Sequence, residues 1–260
     1  MRKNEAPRKI GLARALSKLG YCSRSHAEEL IRTGRVSLNG KIRRDPETPV
    51  PGKQNQIAVD GKLVTAQDKI YLMMNKPRGI VTTASDERDR STVYTILNTR
   101  STGRMPLPAE NTPWVAPVGR LDKASEGLLL LTNDSAWGAR IASPETHLDK
   151  TYHVQVGTVA DEKFVRALLN GVQSNDGEML RAKQARCLRA GQKNCWLEIV
   201  LDEGKNRQIR RMMESLGVEV LRLLRVAIGP LQLGNLAKGA HRSLTADEKR
   251  SLDRALRGNS

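Results

Sequence analysis

Aromatic side chains are scarce in this 260-residue sequence, which contains one Phe, three Trp and four Tyr. A broad aromatic platform on which single-stranded nucleic acid stacks is therefore not expected. Long apolar runs are missing as well, since none approaches the roughly 20 residues of a membrane span. The first residues are charged and lack the apolar segment of a signal peptide. We therefore expect a cytoplasmic protein that does not associate with a membrane.

Cysteine and histidine are equally sparse and give no metal-binding pattern. Cys22, Cys187 and Cys195 are widely spaced without a Cys-x-x-Cys, and the four His are scattered. This argues against a disulfide framework or a zinc site and indicates free thiols in a reducing compartment. Phosphate loops, dinucleotide fingerprints and a catalytic Ser or Cys in a triad setting are also missing. We expect no metal and no other cofactor.

Positive charge, by contrast, is abundant: 44 Lys and Arg face 28 Asp and Glu, a net charge of +16. Such an excess favours a polyanionic partner. It is concentrated at the front, because residues 1–69 carry 15 basic and 7 acidic residues, a net charge of +8. Residues 1–9 are expected to be a basic, flexible tail. The charge distribution therefore predicts a separate binding module near the start of the chain.

Residues 10–66 are predicted to form that module from two helices followed by short strands. Apolar positions with helical spacing predict a first helix after Ile10, and a capping box at Ser25 predicts the start of a second. Asn39-Gly40 lies between two short strand-like runs, a strong signal for a tight hairpin.

This module resembles the alpha-L RNA-binding domain that is shared with a ribosomal protein of the small subunit. Three segments carry the resemblance: Leu12-Ala13-Arg14-Ala15-Leu16, Ser23-Arg24-Ser25-His26-Ala27, and Ile31-Arg32-Thr33-Gly34-Arg35-Val36-Ser37-Leu38-Asn39-Gly40. The resemblance implies RNA contacts, mainly to phosphates, through Arg14, Arg24, Arg32 and Lys41. Taken one at a time, each of these bases is equally compatible with a solvated surface charge.

One carboxylate stands out in the rest of the chain. Val118-Gly119-Arg120-Leu121-Asp122 places Asp122 between bases, a few residues before the apolar run Leu128–Leu131. That run has strand length and is expected to be buried on both faces. An aspartate in a loop is usually solvated, so the pattern alone does not make Asp122 functional. A carboxylate held by a rigid strand in a basic protein is still a candidate reactive group.

Two later segments supply candidate partners for this carboxylate. Lys150–Val156 alternates as a strand, with Tyr152 on its apolar face, where a core tyrosine is the usual outcome. A helix predicted within Glu203–Glu214 has one apolar face and one face of arginines. Its glycine turn and N-terminus favour anions. Before these segments, residues 98–117 contain four of the eleven prolines and are expected to form an irregular loop facing RNA.

From about Tyr71 to Leu244 the chain resembles the RsuA/RluB/RluE/RluF family of bacterial ribosomal RNA pseudouridine synthases. Four motifs in chain order carry the resemblance: Asn75-Lys76-Pro77-x-Gly79; Val118-Gly119-Arg120-Leu121-Asp122 with Gly127-Leu128-Leu129-Leu130-Leu131-Thr132-Asn133-Asp134; Lys150-Thr151-Tyr152; and Glu203-Gly204-x-Asn206-Arg207-Gln208-x-Arg210-Arg211-Met212. The resemblance implies an α+β protein. Its catalytic domain, residues 67–260, would be built on a mixed, mainly antiparallel sheet with flanking helices.

The resemblance also implies roles for the matching residues. Asp122 corresponds to the catalytic aspartate and Tyr152 to the tyrosine that stacks on the target uracil. Arg210 corresponds to the arginine that pairs with the aspartate. Arg120 corresponds to the basic residue that holds the target nucleotide in its flipped-out position. Further bases in or beside the motifs are expected to contact RNA: Lys76, Arg207 and Arg211.

The implied reaction breaks the C1′–N1 bond of a uridine, turns the base and joins C5 to C1′. A stacked base cannot be reached, so it must be extruded and held by an aromatic ring. Asp122 would act as a nucleophile at C1′ or as a base at C2′, and the sequence leaves both open. Arg210 would keep the carboxylate ionised. The isomerisation is redox-neutral, which agrees with the expected lack of a cofactor.

The expected partner is ribosomal RNA or a ribosomal assembly intermediate. Ser125-Glu126 resembles a large-subunit member of the family, whereas Trp137 with Ser143-Pro144 is similar to a small-subunit member; we prefer the large subunit. Transfer RNA is an alternative substrate. A ribosome-assembly or RNA-binding factor without turnover is an alternative function, although a degenerate synthase would be expected to have lost part of the catalytic set. No protein partner is evident, and a monomer is the default expectation.

Overall fold

The computed structural model describes residues 10–51, 55–83, 91–99 and 114–258. The tail predicted at residues 1–9 and most of the loop predicted at residues 98–117 lie outside these ranges. The chain forms two compact units, one built mainly from residues before Leu72 and the other mainly from residues after it. The domain boundaries predicted at residues 10 and 67 stay predictions.

The described part of the first unit contains two short helices and six very short strands. These are β1 (Ile10–Gly11), α1 (Leu12–Lys18), α2 (Arg24–Arg32), β2 (Val36–Leu38), β3 (Lys41–Ile42), β4 (Pro49–Val50), β5 (Ile57–Val59) and β6 (Lys62–Leu63). Aliphatic side chains of α1, α2, β2 and β5 form one core, in which Leu12, Leu16 and Ile31 are fully buried. The basic residues consequently lie on the outside of this unit.

Local signals in the first unit gave one confirmed and one wrong prediction. Asn39 and Gly40 both have positive φ angles, 52° and 77°, which confirms the tight hairpin between β2 and β3. Helix α2, however, begins two residues earlier than the predicted capping box allows. Its N-cap is Ser23, whose hydroxyl oxygen accepts from the His26 backbone N–H. The capping box predicted at Ser25 is therefore wrong.

The second unit carries the remaining elements. These are β7 (Tyr71–Lys76), α3 (Val93–Thr99), β8 (Ala116–Val118), β9 (Glu126–Thr132), α4 (Ser135–Ala142), a single 3-10 turn (Pro144–Thr146), β10 (Lys150–Val156), α5 (Glu162–Asn170), β11 (Val172–Gln173), β12 (Met179–Leu180), β13 (Gln184–Ala190), β14 (Cys195–Leu201), α6 (Gln208–Ser215), β15 (Val220–Ile228), β16 (Leu231–Gln232), β17 (His241–Ser243) and α7 (Ala246–Gly258).

Nine of these strands form one sheet, in which seven follow the order β13-β14-β10-β15-β9-β7-β17. In addition, β16 pairs with β15 and β8 pairs with β9. Strands β13, β14, β10 and β15 are antiparallel neighbours, whereas β15 and β9 are parallel. This mixed, mainly antiparallel sheet with flanking helices confirms the predicted fold class. No helix in the described ranges combines the length and apolar character that a membrane crossing requires.

The core beside the sheet explains why the strand patterns were readable. Val154 and Val156 of β10 pack with α5 and α6 in one apolar cluster, against which Tyr152 is partly buried. Leu128–Leu131 of β9 has no exposed side chain, as expected for a strand buried on both faces. Strand β9 therefore gives the preceding loop, which contains Asp122, a rigid base.

Gly127 lets β9 approach β15 closely. Its φ angle is +102°, and a β-carbon at this position would collide with the Arg225 backbone carbonyl. The parallel pairing of Gly127 with Arg225 therefore requires glycine. This pairing fixes the start of β9 beside the strand that carries Arg225.

The first catalytic-domain motif, Asn75-Lys76-Pro77-x-Gly79, begins within a strand. Strand β7 continues through Lys76, and only Arg78 and Gly79 lie in a turn. Ile80–Thr83, which follows, contributes only one isolated bridge, from Val81 to Thr92. Lys76 consequently projects from a strand rather than from an exposed turn.

Candidate active site

The loop of residues 121–125, here called the Asp122 loop, is held by hydrogen bonds at every backbone carbonyl. The donors come from β7, from the segment after it and from α6. They are Thr82 Oγ1 to Leu121 (2.7 Å), Lys76 Nζ to Asp122 (3.1 Å), the Gly79 N–H to Lys123 (2.7 Å), Arg210 Nη2 to Ala124 (3.0 Å) and Lys76 Nζ to Ser125 (2.8 Å). Such supports preorganise a reactive side chain.

Lys76 is a support of this loop and is not placed to contact RNA. Its side chain is fully buried, and Nζ donates to the carbonyls of Pro77, Asp122 and Ser125. Burial lowers the pKa of Lys76 to about 8, although the nearby Asp122 and Glu126 carboxylates raise it. An ammonium with three internal acceptors and no exposure does not reach a phosphate in this structure, so the RNA contact of Lys76 stays a prediction that the observed contacts do not favour.

Asp122 pairs with a different arginine from the predicted one. Its Oδ2 lies 3.4 Å from Arg207 Nη1, and the Asp122 side chain is 38% exposed. Arg207 is the N-cap of α6 and has a left-handed backbone with φ 47°. A positive φ is uncommon for a residue other than glycine and is often found at functional sites. The carboxylate is thus ionically paired and still open to solvent on one side.

Arg210 contacts the loop backbone and not the carboxylate. Its Nη2 donates to the Ala124 carbonyl, and its Nε is buried without a hydrogen-bond partner in the described chain. Burial lowers the pKa of Arg210, with Arg207 acting in the same direction and Asp122 in the opposite one. The ion pair predicted between Arg210 and Asp122 is therefore not formed in this structure. Arg210 instead positions the loop that carries Asp122.

Arg211 is also occupied internally. Its Nη2 lies 2.6 Å from Asp176 Oδ1 and 2.8 Å from Glu178 Oε2, and its side chain is largely buried. A hydrogen bond from Ser174, followed by Arg211, lowers the pKa of Asp176 to about 2. Because two carboxylates compensate the guanidinium, Arg211 is not free to meet a phosphate in this structure, and its RNA contact stays a prediction. The arginine ties α6 to the segment between β11 and β12.

A cavity of about 190 Å³ opens beside the Asp122 carboxylate. Drug-sized ligands usually occupy roughly 300–1,000 Å³, so this volume suits one small planar group. The cavity brings together the predicted residues Asp122, Arg120, Tyr152 and Arg207. Arg210, Arg211 and Lys76 do not line it. Two buried cations that the sequence analysis missed do line it: Lys150 and Arg225.

The predicted RNA contacts of the first unit lie on its surface. Arg14 and Lys41 are exposed. Arg24 pairs with Glu28 and Glu47, and Arg32 pairs with Glu28, while both arginine side chains remain more than half exposed. Surface ion pairs of this kind contribute little and exchange readily with other partners. RNA contact through these residues stays a prediction.

In the described residues, no group of three or more His, Cys, Asp or Glu is placed to hold a metal ion. A basic cavity with an ion-paired carboxylate beside an aromatic ring is typical of an enzyme that acts on a nucleic acid through carboxylate chemistry. Comparison with known proteins makes this class specific.

The RNA pseudouridylate synthase family matches residues 70–215, and the S4 domain matches residues 10–55. The chain is 35% identical over 247 residues to the ribosomal large subunit pseudouridine synthase B of Bacillus subtilis, covering 94% of this chain and 96% of that protein. It is 38% identical over 237 residues to an RNA pseudouridine synthase of Rickettsia bellii, covering 90% and 96%. A crystal structure of a pseudouridylate synthase has 29% sequence identity and a TM-score of 0.62, covering 94% of this chain and 99% of that chain.

The chain belongs to the RNA pseudouridylate synthase family and carries an S4 domain in front of the synthase region. The predicted family, its isomerase class and the predicted RNA-binding module are thereby confirmed.

Proposed function

We propose that this chain converts a uridine of large-subunit ribosomal RNA to pseudouridine, with Asp122 as the catalytic carboxylate. The observation that carries the proposal is the shared cavity: Asp122, on a loop held at each of its carbonyls, faces the same space as Tyr152. Rigid placement of a reactive group is what positional catalysis needs. The exposed side of the carboxylate is the side that a ribose would approach.

Tyr152 supplies the surface on which the target base is held. It projects from the centre of β10, and its ring is partly buried against the apolar core. A ring fixed in this way loses little conformational entropy when a flipped uracil stacks on it. Arg120 is exposed at the cavity rim, where it would hold the strand from which the base has left.

Arg207 holds the Asp122 carboxylate through an ion pair until the ribose arrives. Its guanidinium is about half exposed, so it can also meet an RNA phosphate while remaining near Asp122. Arg210 acts through the loop backbone, at Ala124. Attack by Asp122 at C1′ and proton abstraction at C2′ both need an ionised carboxylate in this place, so the two arginines serve either route.

The substrate assignment is supported by the Bacillus subtilis relative, whose name specifies the large ribosomal subunit, and by the basic first unit. A net charge of +16 suits a large structured RNA. The proposed substrate would place the enzyme in the cytoplasm, acting as a monomer on ribosomal RNA or on an assembly intermediate.

The test uses large-subunit RNA transcribed with [5-³H]uridine, because joining C5 to C1′ releases the C5 hydrogen to water. The wild-type chain should release tritium, and the released fraction should map to one uridine. Asp122→Asn should abolish release while the RNA dissociation constant changes by less than about threefold. Asp247→Asn, which removes an exposed carboxylate on α7, is the matched control and should behave as wild type. Turnover by Asp122→Asn would refute the role of Asp122.

A further inference from the structure

Two buried cations line the cavity that contains Asp122 and Tyr152. Lys150 is 8% exposed and Arg225 is 6% exposed, and both belong to the cavity wall. Lys150 begins β10 and Arg225 lies within β15. We call this pair the basic floor. Burying two positive groups side by side is costly unless something negative or strongly polar meets them.

The basic floor surrounds Tyr152 on the same face of the sheet. Tyr152 and Arg225 are paired residues of the antiparallel strands β10 and β15, so their side chains project to the same side. Lys150 precedes Tyr152 by two positions on β10, and side chains two apart along a strand share a face. A base stacked on Tyr152 would therefore have both cations near one of its edges.

Neither cation of the basic floor has its hydrogen-bonding capacity filled. Arg225 Nε donates to the Leu128 carbonyl at 2.8 Å, but Arg225 Nη2 is buried without a partner among the described residues. Lys150 Nζ forms no hydrogen bond or ion pair within the described ranges. Burial lowers the pKa of Lys150, and the neighbouring Arg225 lowers it further, while Asp149 and Asp202 raise it. A buried donor without a partner, such as Arg225 Nη2, usually marks the place of a ligand or of an ordered water, and Lys150 lines the same cavity.

We propose that the basic floor binds the carbonyl edge of the target uracil and stabilises the negative charge that the base acquires when it leaves the ribose. This inference rests on the proposed function and adds two residues that contact the reacting base. Cationic donors preplaced where charge develops are an efficient means of lowering a barrier in a site shielded from water.

The chemistry of the exchange explains why cations suit this position. The C1′–N1 bond breaks with its electron pair on the base, giving a uracil anion whose charge spreads to O2 and O4. The ring turns, C5 attacks C1′, the C5 hydrogen leaves as a proton and N1 takes up a proton, so atoms and charge balance. The turn about the N3–C6 axis exchanges the positions of O2 and O4. Donors on that edge therefore meet a carbonyl before and after the turn.

The same edge discriminates uracil from cytosine. Cytosine carries an amino donor at C4 in place of the O4 acceptor, so one of the two ring orientations would point a donor at the basic floor. A site built from unsatisfied donors rejects such a group because both partners lose their hydrogen bonds. The basic floor thus predicts a preference for uridine that does not depend on the surrounding RNA sequence.

Lys150→Met is the sharpest test, since it removes the charge, keeps the apolar stem and leaves no hydrogen-bonded partner behind. Single-turnover tritium release should slow about 100-fold while the RNA dissociation constant changes by less than about threefold. Lys183→Met, which removes a half-exposed lysine outside the cavity, is the control and should match wild type. Lys150→Arg should recover much of the rate, because it restores the charge. A wild-type rate for Lys150→Met, or no recovery in Lys150→Arg, would overturn the inference.

Arg225→Met tests the second cation, with thermal unfolding as a check on its fold; if that variant is unfolded, the Lys150 series decides alone. A binding experiment separates this inference from the proposed function. In the Asp122→Asn background, RNA with uridine at the target should bind more tightly than RNA with cytidine, and Lys150→Met should reduce that ratio about twofold to threefold. An unchanged ratio contradicts the basic floor. A wild-type chain that releases no tritium contradicts the proposed function, and the binding ratio still tests the basic floor.

Discussion

The arginines and lysines of the two units carry the same charge in opposite settings. In the first unit they are exposed, either without an ion pair to any described residue, like Arg14, or in surface pairs, like Arg32 with Glu28. In the second unit some are buried and hydrogen-bonded to internal acceptors, like Lys76 and Arg225, whereas Arg120 and Arg207 stay exposed at the cavity rim. Exposed charges attract a polyanion from a distance, whereas buried charges fix geometry at the reacting atoms. Substitutions in the two units should therefore change different measurements.

The largest effect in this comparison is expected for the cation that touches Asp122. Arg207→Met should lower the single-turnover rate by about 10–100-fold, because it removes the only ion pair of the carboxylate in the described chain. Arg210→Met should cost less, since it removes one hydrogen bond to the Ala124 carbonyl and leaves the other loop supports in place. Tritium release with enzyme in excess over RNA measures both.

A larger loss of rate in Arg210→Met than in Arg207→Met would be equally informative. If Arg210→Met is the more damaging change, Arg210 must reach the carboxylate once RNA is bound, as the family resemblance implies. Glu162→Gln, an exposed carboxylate of α5 that pairs only with Arg166, serves as the control for general charge effects and should leave the rate unchanged.

A smaller effect on rate and a measurable effect on stability are expected for Lys76→Met. The change removes the ammonium donor from the carbonyls of Pro77, Asp122 and Ser125, of which only Asp122 keeps a second donor among the described residues, the Ser125 N–H. Leaving the buried Ser125 carbonyl without its donor costs about 1–3 kcal/mol of the free energy of unfolding. The substitution should also loosen the Asp122 loop and slow turnover about tenfold. Denaturant unfolding and tritium release measure the two effects. A variant as stable and as active as wild type would show that the carbonyls find other donors.

The pH dependence of the free energy of unfolding gives an independent test of the lowered pKa of Lys76. Its pKa in the folded chain is about 8, below the value of roughly 10.4 expected when unfolded. Between these values the unfolded chain binds more protons at this site than the folded chain does, so Lys76 makes the free energy of unfolding rise with pH. Wild type should therefore gain stability relative to Lys76→Met as the pH goes from 8 to 10. A parallel pH profile for the two proteins would contradict this assignment.

The sequence predicted the elements of the site better than their contacts. Alternation defined β10 with its observed bounds, and a continuous apolar run identified β9, because both patterns reflect burial that is decided locally. The motif order placed Asp122 and Tyr152 in one site, and they line one cavity. Lys150 carried a usable signal as well, since it shares the strand face of Tyr152, but a lysine at the end of a strand is usually exposed.

The site predictions that the observed contacts do not favour depend on residues far apart in the chain. Arg211 is ion-paired with Asp176 and Glu178, which lie between strands β11 and β12. No sequence spacing links these two carboxylates to an arginine on α6. Lys76 was misread because a turn signal, Pro77 with Gly79, follows it directly, although the strand continues through Lys76. Whether a base faces solvent or a carbonyl is decided by tertiary packing, which a single sequence shows only indirectly.

The smallest effects are expected for the exposed bases of the first unit, and they should appear in binding alone. Arg14→Gln and Lys41→Gln should each weaken RNA binding only a few-fold, because one phosphate contact is lost. Each should also reduce the slope of log affinity against log salt by about 1, since fewer counterions are released. The single-turnover rate at saturating RNA should stay at the wild-type value. Lys163→Gln, an exposed base on α5 of the second unit, is the matched control. A reduced rate at saturation would mean that the first unit also orders the site around Asp122. The exposed charges of the first unit would then do more than attract the RNA.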